Sequence, residues 1–460
     1  MLLRIKYYRI KKETKCPTKY RYKETEERNM HEEVYMCIDL KSFFASVECV
    51  ELGLDPMTTK LVVADPERGD KTICLAVTPA MKAAGVRNRC RVFEIPKSIE
   101  YITAEPRMQL YIDYSAKIYG IYLDFICPDD IHVYSIDEVF IYATPYLRLY
   151  GMSARELAAA IMEKIFQKTG IRATCGIGSN MYLCKIALDI EAKHAKNFIG
   201  ELDEDSYKEK MWDHRPLTDF WRVGKKTAQK LAKYGIYTMR DITRTDEELL
   251  YGWFGIDAEL LIDHAWGREP TRISDIKAYK TKSHSITSGQ VLMREYSCCE
   301  GRVIVAEMAE ALCLDLVRDA LVCSSVSICI GYGSSHSGEY ESASVRLSFA
   351  TNADSVIVNA VCSLYDRIAD KAGGIRRINI SFNNVSAEDG VQYSLFDDTE
   401  ALEHNRRIQN TMIDIKKKYG RNAILKGINY DACSTARERN MQIGGHKSGR
   451  TNSAGNADIR

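Results

Sequence analysis

The stretch His132-Val133-Tyr134-Ser135-Ile136-Asp137-Glu138-Val139-Phe140-Ile141 alternates like a strand, yet it sets two adjacent carboxylates inside an apolar run. Successive side chains of a strand point to opposite faces, so in a straight strand Asp137 and Glu138 share no task. The conflict disappears if the chain folds back at 135–138, giving a hairpin of 131–134 and 139–142 with both carboxylates at its tip. Carboxylates beside a buried sheet are costly unless a metal ion or a basic group compensates them.

A third carboxylate has similar surroundings. Met36-Cys37-Ile38-Asp39 ends an apolar strand with an Asp just before a helix begins, the place where α/β-type sheets expose chemistry. Three carboxylates on neighbouring strand ends suit Mg²⁺, a hard cation that takes oxygen ligands and is often shared with substrate phosphates. Two such ions about 3.5–4 Å apart serve in-line phosphoryl transfer. A helix-capping Asp and a solvated Asp-Glu turn account for these residues equally well at this point.

The rest of the chain sets the frame. Its 460 residues exceed what one core serves and suggest about three domains at roughly 100–200 residues each. The net charge of +1 announces neither a nucleic-acid nor a membrane partner, so any basic surface has to be local. The fifteen cysteines contain no Cys-x-x-Cys pair, and no apolar stretch is long enough for a membrane span. These features point to a reducing cytosol and free thiols, without a structural zinc.

Residues 1–33 are a charged extension without apolar period. Met30 sits just before the first strand, an alternative start that leaves residues 1–29 outside the fold. From residue 34, strands (34–38, 61–64, 73–77, 171–175) alternate with helices opened by Ser42, by Thr78-Pro79, by the capping box Ser153-Ala154-Arg155-Glu156 and by Ser179, with a longer helix over 108–125. This is an α+β pattern on a mixed sheet. Residues 207–268 hold all four tryptophans in short helical segments. Residues 271–283 read as a linker. A second α+β region follows, with strands at 326–330 and 344–349 and helices at 302–319 and 355–369. Beyond about residue 385 the chain turns polar, as a partly disordered tail would.

Ile38-Asp39-Leu40-Lys41-Ser42-Phe43-Phe44-Ala45-Ser46-Val47-Glu48, followed by Tyr134-Ser135-Ile136-Asp137-Glu138, resembles the signature pair of the Y-family DNA polymerases, the lesion-bypass enzymes. Within that family the sequence is most similar to the UmuC-like branch, related to bacterial DNA polymerases IV and V. The likeness runs from about residue 34 to 396. It implies an α+β right hand: a palm with a mixed sheet over 34–206, fingers inserted at about 55–105, a UmuC-type domain extending to about 224, and a helical thumb over 207–270. A linker (271–283), an α+β little-finger domain (284–385) and a tail (386–460) complete the expected organisation.

By this resemblance Asp39 and Asp137 are the metal-binding pair and Glu138 completes the catalytic site, with two Mg²⁺ ions. Lys41, Ser42, Phe43 and Phe44 line the incoming dNTP, and Phe44 holds the steric-gate position, where a flat ring collides with a ribose 2′-hydroxyl. Ordinary core packing is the alternative for Phe43 and Phe44. Lys82 and Lys193 match phosphate contacts; many relatives have Arg in place of Lys82. Pro79 replaces a tyrosine that archaeal members put near the triphosphate, a departure from the family's phosphate contacts.

Trp221-Arg222-Val223-Gly224-Lys225-Lys226 resembles the thumb's helix-hairpin-helix, a sequence-independent DNA grip through backbone N–H groups, so Arg222, Gly224, Lys225 and Lys226 are the expected DNA contacts. Arg222 stands where a glycine is usual. A plain basic helix face is the bland alternative. Gln392-Tyr393-Ser394-Leu395-Phe396 resembles the bacterial sliding-clamp pentapeptide, in which Gln392 bonds and Leu395 and Phe396 fill a hydrophobic groove.

The resemblance implies dNTP addition to a primer 3′-OH on template DNA, error-prone synthesis past damaged bases, a DNA-damage role, a sliding-clamp partner and a cytoplasmic location without membrane. A nucleotidyl cyclase or phosphodiesterase would also use paired carboxylates, but needs neither the DNA grip nor the clamp peptide. A non-catalytic clamp competitor would have no use for all three carboxylates.

Overall fold

In the computed structural model the chain divides into two units, Met1–Lys280 and Thr281–Arg460. The structure describes residues 33–281, 284–333, 339–370, 373–388 and 399–449. The extension and the pentapeptide with Gln392, Leu395 and Phe396 lie outside the described residues.

In the first unit, β1 (Tyr35–Leu40) is followed by α1 (Phe43–Glu51), β2 (Leu61–Val63), β3 (Ala76–Val77), α2 (Pro79–Ala83), β4 (Ile102–Ala104) and α3 (Met108–Leu123). Then come β5 (Ile131–Val133), β6 (Glu138–Tyr142), α4 (Thr144–Tyr150), α5 (Ala154–Thr169), β7 (Ala173–Gly178), α6 (Met181–Ile186) and β8 (Ile199–Leu202). The main sheet has the order β5-β6-β1-β7-β8, with β1 antiparallel to both neighbours and β7 parallel to β8.

Strand β1 is buried on both faces, and its alternation sorts them. Met36, Ile38 and Leu40 join the core built with α1, α3 and α5. Tyr35 and Cys37 join Phe140, Met181, Cys184 and Leu188 on the other face. The expected helix signals are present: Thr78 Oγ1 accepts from Met81 N ahead of Pro79, and Ser153 and Glu156 form the capping box of α5.

The short strands β2, β3 and β4 form a separate sheet whose cluster includes Val62, Val77, Met81 and Cys90, within the range expected for fingers. Helices α7 (Glu204–Lys210), α8 (Lys225–Ala232), α9 (Met239–Arg244), α10 (Glu247–Phe254) and α11 (Asp257–Ala265) make the all-helical part, with Trp212, Trp221 and Trp253 packed against its core. Residues 271–283, expected as a linker, contain α12 (Ile273–Ala278). Ile273 and Ile276, three apart on one helix face, reach the cluster around Cys37 and Phe140.

The second unit is a four-stranded antiparallel sheet of order β11-β10-β12-β9, built from β9 (His284–Tyr296), β10 (Leu321–Tyr332), β11 (Tyr340–Thr351) and β12 (Ile375–Ala387). Helices α13 (Cys298–Arg318) and α14 (Asp354–Ile368) share its core. Ile304, Met308 and Leu312 are spaced by four on α13 and are buried with Val326, Ile328, Ile378 and Phe382.

The region after 385, read as a partly disordered polar tail, holds further structure. α15 (Thr399–Tyr419), α16 (Ala436–Asn440) and the hairpin of β13 (Gln442–Ile443) and β14 (His446–Lys447) fold onto this unit. Polar anchors add to a few apolar contacts, among them buried Met412 and Cys433. Buried Glu307 accepts from Ser434 Oγ, Thr435 N and Thr435 Oγ1, and Lys426 pairs with Asp354 at 2.6 Å.

Candidate active site

The suspected hairpin exists, with one difference in its tip. Val133 pairs with Val139, Tyr134 N and Ser135 N both donate to Glu138 O, and Glu138 is the first residue of the returning strand. Ser115 Oγ on α3 donates to Ile136 O at 2.6 Å, and Leu40 N donates to Asp137 O at 2.9 Å, pinning the turn to the end of β1. Glu138 stands directly opposite Asp39 in the β1–β6 register, so the two side chains share a face. Asp137 reaches the same end from the turn, where Ser135 Oγ donates to its Oδ1 at 2.6 Å.

The helix on this face lies unusually close to the sheet. A Cβ on Gly176 would stand 2.0 Å from Cys184 O, and one on Gly178 would stand 2.4 Å from Cys184 N, so both positions exclude any other residue. After α6 the chain makes a π-helical turn, Ala187–Ala192. Asp189 thereby holds Lys185 at 3.1 Å and Lys193 at 2.8 Å, each four residues away. Lys185 Nζ also lies 2.8 Å from Glu138 Oε1, and Cys37 Sγ donates to that same oxygen at 3.1 Å.

The charges converge on Asp39. Its carboxyl is pushed up to about 7, first by burial and then by the charge of Asp137, with Lys193 opposing and Glu138 adding. Lys82 is lowered by burial while Asp39 and Asp137 pull it back up, and Lys41 is lowered by burial and by Lys82. Asp39, Asp137, Lys41, Lys82 and Lys193 are therefore within electrostatic reach of one another. Lys41 Nζ lies over the Phe198 ring at 4.5 Å.

Ser42 takes a left-handed backbone (φ 47°), uncommon for a residue with a side chain, and its Oγ is buried without a hydrogen-bond partner. An unpartnered hydroxyl and a buried carboxyl raised by burial and by Asp137 are groups that would suit a cation and an anionic ligand. Among the described residues no group of three or more His, Cys, Asp or Glu is arranged to hold a metal ion as it stands. Glu138 is engaged by Lys185 and Cys37 instead.

The two phenylalanines differ. Phe43 is 2% exposed and packs in the core, as the alternative of ordinary core packing has it; the helical period turns it inward. Phe44 remains half-buried and stacks on Tyr111 at 4.4 Å and 15°. Tyr111 OH donates to buried Glu48 at 2.6 Å, and Arg107 clamps Glu48 at 2.6 Å.

In the helical part, Arg222 adopts the left-handed conformation (φ 74°) that a glycine would supply, and its guanidinium lies over Trp221 at 4.7 Å. Gly224 stands at the N-terminus of α8, which carries Lys225 and Lys226 in its first turn.

Lys185, Asp189, Cys37 and Tyr111 were not singled out from sequence. Lys185 left a signal, a lone cation within Met181-Tyr182-Leu183-Cys184-Lys185-Ile186-Ala187-Leu188. Each described cysteine is free. No helix among the described residues is long and apolar enough to cross a membrane.

Residues 38–189 match the impB/mucB/samB family, and residues 283–395 match the impB/mucB/samB family C-terminal domain. UvrX of Bacillus subtilis (strain 168) is 31% identical over 416 residues, 90% of this chain and 97% of that protein. DNA polymerase IV 2 of Halalkalibacterium halodurans is 30% identical over 420 residues, covering 90% and 99%. Among solved structures, a Y-family DNA polymerase chimera, Dbh-Dpo4(243-245)-Dbh, matches with a TM-score of 0.61 over 77% of this chain and 99% of that one. At 20% identity this is a likeness of fold.

Proposed function

The chain belongs to the impB/mucB/samB family of UmuC-like Y-family DNA polymerases, and from that premise we propose that it extends a DNA primer by dNTP addition past damaged template bases. The observation that carries this reading is the gathering of Asp39 and Asp137 with Lys41, Lys82 and Lys193 at the open end of β1.

Asp39 and Asp137 are the residues that would hold a divalent cation, with Glu138 joining them on leaving Lys185. Mg²⁺, two ions in this reading, would supply Lewis-acid activation of the primer hydroxyl and charge neutralisation at the leaving pyrophosphate. The chain's own groups do the positioning. Lys82, Lys193 and Lys41 balance the triphosphate, and Ser42 Oγ offers it a hydrogen-bond donor. The Phe44 ring, held by Tyr111, excludes a ribose 2′-hydroxyl.

We assign 34–206 to the palm, about 55–105 to the fingers, 207–270 to the thumb and 284–385 to the little finger. Arg222, Gly224, Lys225 and Lys226 would take a DNA phosphate. Gln392, Leu395 and Phe396 would dock on a bacterial sliding clamp, and the work would be cytoplasmic. The charge-free groove chemistry of Leu-Phe supports the clamp reading.

Primer extension with purified protein and Mg²⁺ is the test. Incorporation opposite an intact and a damaged template base is expected, with loss of at least about 100-fold in Asp137→Ala. No incorporation on any primed template would sink the proposal. Leu395→Ala/Phe396→Ala should weaken clamp capture and spare distributive synthesis; undiminished capture retires the motif.

A further inference from the structure

We propose that the surface formed by the end of α15, the turn after it and α16 is an additional DNA-backbone contact in the C-terminal segment. This rests on the polymerase reading above, which brings DNA to the chain. The segment lies beyond residue 395, where the match to the family's C-terminal domain ends.

Charge singles it out. Residues 416–440 hold seven Lys and Arg against two acidic residues, in a chain whose net charge is +1. Two of the seven point inward as anchors: Lys426 binds Asp354 and Glu310, and Arg439 donates to Ser288 Oγ on β9 at 3.0 Å. Lys417, Lys418, Arg421 and Arg437 stay exposed, and among the described residues no ion pair engages them.

Several surface cations of the same unit are compensated, whereas here four unpaired ones lie within one short segment. Arg294 has Glu300, Arg302 has Asp366, and Arg318 has Asp315 and Asp319. An uncompensated cluster repels itself unless an anion covers it, which separates this patch from an ordinary solvated face.

The patch is also built rather than loose. Lys416 Nζ donates to Arg421 O at 2.8 Å, Asn422 Nδ2 to Arg437 O at 3.1 Å, and Asn440 Nδ2 to Asn422 Oδ1 at 2.8 Å. These bonds tie the end of α15 to α16 and hold Arg421 and Arg437 in one neighbourhood. Tyr419 and Tyr430 are 64% and 66% exposed, with Lys418 and Arg437 over their rings at 5.0 and 5.7 Å. Exposed aromatics among unpaired cations suit a nucleic-acid strand, through phosphate neutralisation and base stacking.

The test uses the full chain carrying Lys417→Gln, Lys418→Gln, Arg421→Gln and Arg437→Gln. A control of equal charge carries Lys97→Gln, Arg148→Gln, Lys168→Gln and Arg367→Gln. Fluorescence anisotropy with duplex and with single-stranded oligonucleotides is read across salt concentrations. The patch variant is expected to bind at least about tenfold more weakly in one or both arms. Its slope of log affinity against log salt should fall by about 3, with turnover at saturating DNA unchanged.

Unchanged affinity and slope, or an equal loss in the control, overturns the proposal. So does retained DNA affinity with lost binding to polyglutamate, which would make the partner an acidic protein. In the wild-type chain, DNA should protect Lys417 and Lys418 from acetylation; absence of protection overturns the proposal irrespective of how the variant folds. A wild-type chain that extends primers while the patch variant binds undiminished removes only this surface. A chain that extends no primer removes the polymerase reading instead.

Discussion

Lys185 Nζ and Glu138 Oε1 form a 2.8 Å ion pair in which both side chains are about nine-tenths sealed from solvent. Removing the cation leaves a buried carboxylate uncompensated, which costs roughly 3–5 kcal/mol. Lys185→Met is therefore expected to lower stability by that amount in chemical denaturation, and Lys185→Met/Glu138→Gln to recover part of it. A single variant within about 0.5 kcal/mol of wild type would show that the pair contributes little.

Burial and Asp137 hold the Asp39 carboxyl near 7, so a bound cation relieves the folded state. Mg²⁺ at about a hundredfold its dissociation constant should stabilise the chain by about 2.7 kcal/mol, and a chelator should reverse it. Thermal unfolding with and without Mg²⁺ reads this directly. Asp39→Asn should abolish the response; a variant that responds like wild type argues against Asp39 as a ligand.

Phe44 is held flat against Tyr111, whose hydroxyl is locked to Glu48. Phe44→Ala is expected to raise ribonucleotide use relative to deoxynucleotide use by at least about tenfold. Tyr111→Leu should raise it less, by loosening the ring without removing it. Single-turnover incorporation of matched rNTP and dNTP measures both. An unchanged ratio in Phe44→Ala removes the gate.

His264 is stacked on Tyr182 at 3.9 Å, with its Nε2 3.2 Å from Glu269, and burial holds its imidazole below the usual value despite that neighbour. As pH falls through about 6.5 the unfolded chain binds a proton that the folded one resists. The His264 contribution to stability is therefore full above that pH and is lost below it, with a slope approaching about 1.4 kcal/mol per pH unit. Asp39, with its carboxyl raised to about 7, contributes the opposite slope over the same range, so the readout is the difference between the wild-type and His264→Gln denaturation profiles from pH 5 to 8, which should grow below about 6.5. Parallel profiles would mean that the group titrates alike in both states.

Much of the site was legible because it breaks local rules. Two carboxylates within a strand pattern demanded a turn, and an Asp at the end of an apolar strand offered the third group. The caps of α2 and α5 were legible because their bonds span three residues. Phe43 and Phe44 could not be separated, since adjacent aromatics look alike until the helix is rotated against its sheet.

Short-range pattern alone carried the family, the hairpin, the α+β layering and the choice of Asp39, Asp137 and Glu138 as candidate carboxylates. Only the tertiary structure decided that Glu138 faces Asp39 across a register, and that Lys185, 47 positions further along, supplies the counter-charge. It also decided that residues 399–449 fold, because their anchors, Glu307 and Asp354, lie in distant helices. Such pairings depend on which surfaces the core brings together, and a buried charge finds its partner across space.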